Sequence, residues 1–447
     1  MKRKLVILGI YITGLCSCEG FLDPKPDDSL VVPTSPSDVR ALLDNPNVFN
    51  KQPVLNVHAG DEFFISEAGL SSLSNSEVGS YQWLEDPYQG DRIDDWFIPY
   101  QQIFYSNVAL EALSDMTGAD MAEINTLTGE ALFNRAHAYF QLVQQFSPAY
   151  QKHGGNGQLM GVVVKESPDV NENAIRSNLE DCYQLILVDL KKAIELLPDH
   201  QLPKTRPGKA AAFGMLARVH LLMFDYTSAA EAALEALDIY KERVDFNELD
   251  LSQSRPFTMF GPETVYYSEL VSVRLSSSPE VFLDTLLRHK YGEDDLRFAA
   301  YFDEAAPNRY LYRGRLSGNF SLFGGLSVGE LELIAAEGLA RKSEEARALE
   351  LLNDFLSRRI NKDVFTPVDL SSGGLLGRIL EEREKELVGR GLRWSDLRRL
   401  NQEPEFAKKI AKYINGNVTE LEPSSKKYVF PIPQEEILLT GIRQNER

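Results

Sequence analysis

The chain alternates between stretches whose apolar residues recur every three to four positions and stretches with no such period; the first kind predicts amphipathic helices. The earliest is "SPSDVRALLDN", where Ser35 or Ser37 can cap a helix whose apolar face begins with Val39, Leu42 and Leu43. Residues 54–95 follow as a loop-rich span. The strongest period then runs from Trp96 through "WFIPYQQIFYSNVALEALSDM" and "MAEINTLTGEALFNRAHAYFQLVQQF" to Phe146. A glycine-rich connection, "YQKHGGNGQLMG", leads to a further helix, "NLEDCYQLILVDLKKAIELLP", which Pro198 stops.

In residues 208–237, "GKAAAFGMLARVHLLMFDYTSAAEAALEAL", the small residues Ala210, Ala211, Ala217 and Ala229 recur among Phe213, Leu216, Leu221, Tyr226 and Leu234. Small residues among large ones let the two helices of a hairpin approach closely, and with "DY" at the turn the block looks like a tetratricopeptide unit. Residues 327–360 repeat the pattern. Such pairs must stack to bury their faces, and roughly four can be counted. Residues 247–323 carry aromatics and prolines but little period. The expected fold is mostly α, with tetratricopeptide-like helix pairs packed against a looped, irregular portion containing short strands.

The N-terminus changes the picture. Lys2, Arg3 and Lys4 precede an apolar run over residues 5–15, a secretory signal too short to span a bilayer as a helix. Cleavage before Cys18, with Leu15, Cys16 and Ser17 ahead of the cut, resembles the bacterial lipobox and would leave Cys18 as the lipidated residue. The alternatives are an ordinary signal peptide or a strained Cys16–Cys18 disulfide. Several acyl chains anchor a protein stably without its spanning the membrane. Residues 18–37, rich in Pro, Asp and Ser, then read as a linker. The third cysteine, Cys182, lies on a helix and is expected to be a buried, unreactive thiol.

Charge narrows the partners. The formal net charge is -19, and loss of the signal removes three more positive residues. Such a surface repels nucleic acid and anionic lipid, so contact with a membrane is expected through the lipid anchor only. The 23 Phe, 18 Tyr and 3 Trp matter more, because rings are the usual platforms for sugars and peptides.

Seven stretches, in order along the chain, resemble the SusD-like (RagB/SusD) nutrient-binding outer-membrane lipoproteins of Bacteroidetes. The lipobox is followed by "FLDPKP". Trp96, Tyr100, Ile103 and Asn107 are similar to an early helix of the family, and Glu130, Ala131, Arg135, Ala136, Tyr139 and Phe140 to the next. "YQLILVDLKKAIELLP", "GKAAAFGMLARVHLLMFDYTSA", "ILEEREKELVGRGLRWSDLRRL" and "YVFPIPQEEILLTGIRQN" follow. The chain departs from the pattern where Arg390, between Gly389 and Gly391, replaces an acidic residue, and in the loop after Phe146. The resemblance implies residues 1–17 as signal peptide, 38–246 as an N-terminal helical region and 247–447 as a C-terminal region packed with it into one body. It also implies a surface-exposed lipoprotein of the outer membrane. Such a protein takes an oligosaccharide or other nutrient and passes it to a SusC-like TonB-dependent transporter by binding and lid closure, with no cofactor and no catalytic residues.

The helical motifs read as architecture. Arg135 is expected to pair with a carboxylate or with helix carbonyls and Glu130 to be matched likewise, Glu382, Arg383 and Glu386 to form a structural network, and Trp96 and Trp394 to pack in the core. Ligand contact is expected from aromatics in loops: Tyr81, Trp83 and Tyr88 in "SYQWLEDPYQGD", with Asp61, Tyr266 and Tyr310 as further candidates beside Glu62, Phe63, Tyr267 and Tyr312. The six histidines show no ligand spacing, His137 and His220 sit on apolar helices, and no metal site is implied. "HGGNGQ" and "SSGGLLG" lack the ending of a phosphate loop. Peptide binding, a protein-protein adaptor built on the helical repeats, and a surface glycoside hydrolase with two carboxylates remain as alternatives.

Overall fold

A computed structural model describes residues 33–118, 120–369, 374–414 and 416–447. The signal peptide, Cys18 and most of the linker lie outside the described residues. Residues 33–447 form one compact unit.

Its frame is a succession of helices, each packed on the next: α1 (Asp94–Asp115), α2 (Met121–Phe146), α3 (Leu179–Leu196), α4 (Lys209–Leu222), α5 (Tyr226–Ile239), α6 (Val328–Arg341) and α7 (Glu345–Ser357). Two more, α8 (Leu375–Glu386) and α9 (Arg393–Leu400), close the C-terminal part, α8 against α6. Local chemistry sets the boundaries. Asp120 caps α2 by accepting from the Ala122 amide at 3.0 Å, and Asp225 of the "DY" turn caps α5 through Ser228 at 3.1 Å. Ser35, one of the two expected caps, starts the helix Pro36–Leu43 with a reciprocal capping box to Asp38.

The small residues do what their pattern predicts. A Cβ at Gly338 of α6 would lie 2.5 Å from the Tyr226 carbonyl oxygen and 2.7 Å from the Ala230 Cβ, so only glycine lets α6 approach α5 this closely. The main hydrophobic cluster runs through α2 to α6 and takes in Trp96 and Trp394. Cys182 is fully buried there, and burial pushes its thiol up to about 11. His137 is buried too, and burial pulls its imidazole down to about 3.

Charged side chains inside this frame are paired. Arg135 grips Asp189 with two bonds of 2.8 Å and donates a third to Asn107 at 2.9 Å. Glu130 takes both bonds of Arg40, at 2.6 and 2.8 Å. Glu382 and Glu386 meet the buried guanidiniums of Arg297 and Arg359, and Arg383 meets Asp396 at 2.8 Å. Arg390, where the sequence departs from its resemblance, donates to the Phe323 and Gly325 carbonyls, Ser327 and Glu330. Each such bond satisfies a group whose burial would otherwise cost several kcal/mol.

Outside the frame the chain is irregular, as expected of residues 247–323, and its strands pair only two by two. Four of them position the site: β1 (Phe63–Ile65) lies antiparallel to β2 (Val281–Leu283), and β3 (Phe302–Ala306) forms a hairpin with β4 (Arg309–Tyr312). The span 54–95 departs from expectation. It contains β1 and the short helices Leu55–Ala59, Glu67–Leu70 and Asn75–Tyr81. The last has a capping box between Ser74 and Glu77, a signature present in "SNSE" but hidden by the absence of an apolar stripe.

Candidate ligand-binding site

The aromatics expected at a ligand are turned inward, except that Tyr310 and Tyr312 are half-buried. Trp83 is 2% exposed; a positive φ of 52° folds its ring into the main core, where the indole N–H donates to the Ala59 carbonyl at 2.9 Å. Tyr81 ends the helix Asn75–Tyr81 and is equally buried, its hydroxyl accepting from the Ile65 amide at 3.2 Å, with the Lys412 ammonium 4.3 Å from its ring centre. Tyr266 packs edge-on to Phe133 at 5.0 Å and accepts from Asn50. Asp61 is held by the Arg393 fork at 2.7 and 2.9 Å and by Lys408 at 2.7 Å. Burial opposes its ionisation, but those two charges hold its carboxyl far below the usual range. The exposure expected of these four residues is therefore corrected: their polar atoms are satisfied inside the protein, which a free ligand platform would not allow.

Tyr88 is also buried and donates to the Pro431 carbonyl at 2.6 Å, yet it lines a cavity of about 430 Å³ with Asp86, Asp91 and Arg447. Tyr310 is half-buried on β4, edge-on to Phe298 at 5.0 Å. A larger cavity, about 780 Å³, lies between residues 148–160, α9 and residues 423–446. Tyr428 is its one aromatic lining residue and is buried against Trp394 at 4.6 Å, while Gln402 and Asn445 are pinned to backbone carbonyls. Among the described residues, rings usable by a ligand are missing from both walls.

They occur instead at a cleft of about 280 Å³ in the irregular portion, at the small end for a ligand site. Its floor is Phe63 of β1 and Tyr312 of β4, edge to face at 6.0 Å. One wall is the serine loop, Ser276, Ser277 and Ser278, before β2; the other is the loop of residues 313–322, with Arg313, Arg315 and Phe320. Phe320 is 67% exposed, and the Arg255 guanidinium covers one side of its ring at 3.8 Å. An exposed ring beside hydroxyls and guanidiniums is the set that binds a sugar: the ring takes the apolar C–H face and the polar groups take the hydroxyls.

The supports are buried and specific. The Glu77 carboxylate accepts from the Leu275 amide at 2.9 Å, tying the serine loop to the helix Asn75–Tyr81, and also meets His58 at 3.2 Å. Burial opposes its ionisation, but the His58 hydrogen bond and backbone donors hold it down at about 2. Tyr312 donates to the Gly314 carbonyl at 2.9 Å, and burial pushes its phenol up. Arg315 donates to the Ser276 carbonyl across the cleft. Beneath Tyr312, a Cβ at Gly389 would come within 2.9 Å of the ring, and its φ of 70° is one that side chains rarely adopt. Sequence reasoning missed Phe320, Arg255 and Arg315. The signal for Phe320 was there in "SGNFSLFGG", an aromatic among Ser, Gly and Asn with no helical stripe.

Among the described residues no group of His, Cys, Asp and Glu could hold a metal ion, and no helix is long and apolar enough to cross a membrane.

Comparison with known proteins agrees with the architecture. A family model described as "Starch-binding associating with outer membrane" matches residues 20–221, and the SusD family model matches residues 328–446. A SusD-like protein P2 of Formosa agariphila is 28% identical, over 85% of this chain and 84% of its own. A SusD superfamily structure from Bacteroides vulgatus superposes with a TM-score of 0.77 at 21% identity, covering 92% of this chain and 99% of that one. A laminarin-binding SusD-like protein superposes with a TM-score of 0.63 at 19% identity, covering 91% of this chain and 97% of its own.

Proposed function

This chain belongs to the SusD family, and from that premise we propose that it is a surface lipoprotein of the outer membrane that captures an oligosaccharide. In this reading residues 1–17 are the signal peptide and Cys18 carries the lipid. Residues 18–37 tether the body, whose N-terminal helical region is 38–246 and whose C-terminal region is 247–447. The glycan enters the cleft between Phe320, Tyr312 and the serine loop. It is then passed to a SusC-like TonB-dependent transporter by hinged closure, with the helical side as the transporter contact. Affinity has to stay modest, because a site that holds the sugar as tightly in the closed as in the open state would not release it.

The observation that carries this reading is Phe320, a large ring 67% exposed at the mouth of a cleft lined by hydroxyl and guanidinium donors. Binding without chemistry is supported by the lining: Asp303 is the one carboxylate among the described lining residues, and it is paired with Arg313 at 3.0 Å. Glycoside hydrolysis ordinarily needs two. The neighbour's laminarin binding and the "Starch-binding" description of the matched family model favour a glycan over a peptide.

The test is a glycan array with the purified protein, followed by titration of any hit with Phe320→Ala. Binding of one glycan class that the variant weakens supports the reading. Binding that Phe320→Ala leaves unchanged removes the cleft as the site.

A further inference from the structure

We propose that this cleft selects an anionic glycan, with Arg255 and Arg315 receiving a carboxylate or sulfate carried by the sugar. The inference rests on the reading of the cleft as a glycan site.

The starting point is a mismatch of charge. The chain as a whole stands at -19, and its buried guanidiniums, Arg135, Arg218, Arg297, Arg359 and Arg399 among them, meet carboxylates, with the exception of Arg398, which is held by the Gln144 and Ser147 carbonyls. The cleft is different. Its single lining carboxylate, Asp303, is taken by Arg313, which also donates to the Gln253 and Leu251 carbonyls at 3.0 Å each. Arg315 has no carboxylate within ion-pair distance among the described residues. One terminal nitrogen is anchored on the Ser276 carbonyl, and its Nε is buried without a hydrogen-bond partner. Arg255 is exposed, lies 3.8 Å from the centre of the Phe320 ring, and likewise has no carboxylate partner among the described residues.

The two charges feel each other. Burial is the main reason the Arg315 guanidinium is less basic than usual, and the positive charge of Arg255 adds to it. Two like charges held together without a counter-ion are unfavourable, and a ligand anion placed between them relieves that cost. A guanidinium placed over an aromatic ring can keep N–H groups free for the two oxygens of a carboxylate or sulfate. The same ring that would stack on a sugar therefore carries the donor for a charged substituent on it. A neutral sugar would leave both charges unmatched, so the cleft discriminates by what it fails to satisfy.

The experiment uses the full-length protein in detergent and matched ligand pairs in calorimetric titration. One pair is oligogalacturonide and its methyl ester, for carboxylate. The other is a carrageenan oligosaccharide and its desulfated form, for sulfate. A neutral laminarin oligosaccharide completes the set. The expected result is that the charged member of one pair binds on the order of tenfold more tightly than its neutral partner, as hydrogen bonds to a charged group predict. That difference should shrink in high salt. Arg255→Gln should bring the charged ligand down to the affinity of the neutral one with thermal unfolding unchanged. Arg315→Gln should lower the affinity for the charged ligand in the same way, but because Arg315 also braces the serine loop, Arg255→Gln is the decisive variant. If neutral ligands bind as well as charged ones at every salt concentration, selection for an anion is overturned while the glycan reading stands. Charge-dependent binding that neither variant alters places the anion elsewhere and overturns the assignment. Failure of all five ligands, with a neutral glycan of another class bound on the array, also overturns it; failure of every glycan removes both.

Discussion

Glu62 accepts one hydrogen bond, from the Gly389 amide at 3.0 Å, and its second carboxylate oxygen is buried without a partner. It stands between Asp61, which is ion-paired, and Phe63, the floor of the cleft. Burial pushes the Glu62 carboxyl up to about 8, so it is largely neutral at pH 7.

A pH dependence of stability follows from this pair. The folded value, about 8, lies above the ordinary 4.5, so the folded protein holds a proton that the unfolded chain releases between those values. The contribution of Glu62 is therefore greatest below about pH 4.5, falls as pH rises through the window, and levels off above 8. Glu62→Gln, neutral throughout, is expected to melt with the wild type at low pH and to be more stable at pH 8, by on the order of a few kcal/mol. Parallel melting curves across that range would show that Glu62 ionises normally. Lys412 acts in the next window: burial pulls its ammonium down to about 8 from 10.5, so its penalty is lifted as pH climbs from 8 towards 10.5. Together the two groups place a stability minimum near pH 8.

Trp83 and Phe320 make opposite predictions for the same assay. Trp83→Ala removes a fully buried indole and its bond to Ala59, and should cost about 3–5 kcal/mol of stability while leaving the affinity of the folded fraction unchanged. Phe320→Ala removes an exposed ring and should leave the melting temperature within error while weakening glycan binding. A Trp83→Ala protein that melts normally but loses binding would reverse these assignments.

How far the sequence reveals all this depends on the period of each stretch. The helices over Trp96, Arg135, Cys182 and the Ala-rich hairpin are legible because their apolar residues repeat every turn, and the ion pairs of Arg135 and Glu130 follow because a charge on an apolar face must be matched. The site is not legible in the same way. In a non-periodic loop a ring among Asp, Gln and Gly is equally compatible with exposure and with burial, and the choice turns on contacts distant in sequence. Trp83 reaches Ala59, 24 residues back, while Tyr88 reaches Pro431 and Tyr266 reaches Phe133, each across more than a hundred residues. Phe320 meets the same local criterion and is left outside because its neighbours Gly318 and Asn319 are committed elsewhere: a Cβ at Gly318 would lie 2.0 Å from the Met259 amide, and Asn319 binds Glu269 at 2.7 Å.

Asp189 tests whether the matched charges of the frame stabilise it or merely avoid a penalty. Asp189→Ala strands Arg135 among apolar residues and should cost about 3–5 kcal/mol, whereas the double variant Arg135→Met, Asp189→Leu should recover most of that loss, since replacing a buried pair by apolar groups is often neutral. Chemical denaturation of the two variants beside the wild type measures it. A double variant as unstable as the single one would mean that the bond from Arg135 to Asn107, at 2.9 Å, is the part that matters.

Glu77 links the fold to the site, and its removal should separate stability from binding in a way no surface change can. One oxygen closes the capping box with Ser74, and the other receives the Leu275 amide and meets His58. Glu77→Ala loses a cap and leaves buried donors unmatched, an expected cost of about 2–4 kcal/mol. Because Leu275 begins the serine wall, the same variant should also weaken glycan binding at temperatures where it remains fully folded, with faster amide exchange at residues 274–278. The sign of its pH dependence is opposite to that of Glu62. With a folded value of about 2 against 4.5, the stability contributed by Glu77 is complete above pH 4.5 and is lost as pH falls towards 2. Wild type and Glu77→Ala should therefore converge in stability under acid. Exchange rates at 274–278 that match the wild type would show that the serine loop is held without Glu77, through Arg315 and the Arg274 bond to the Ser72 carbonyl.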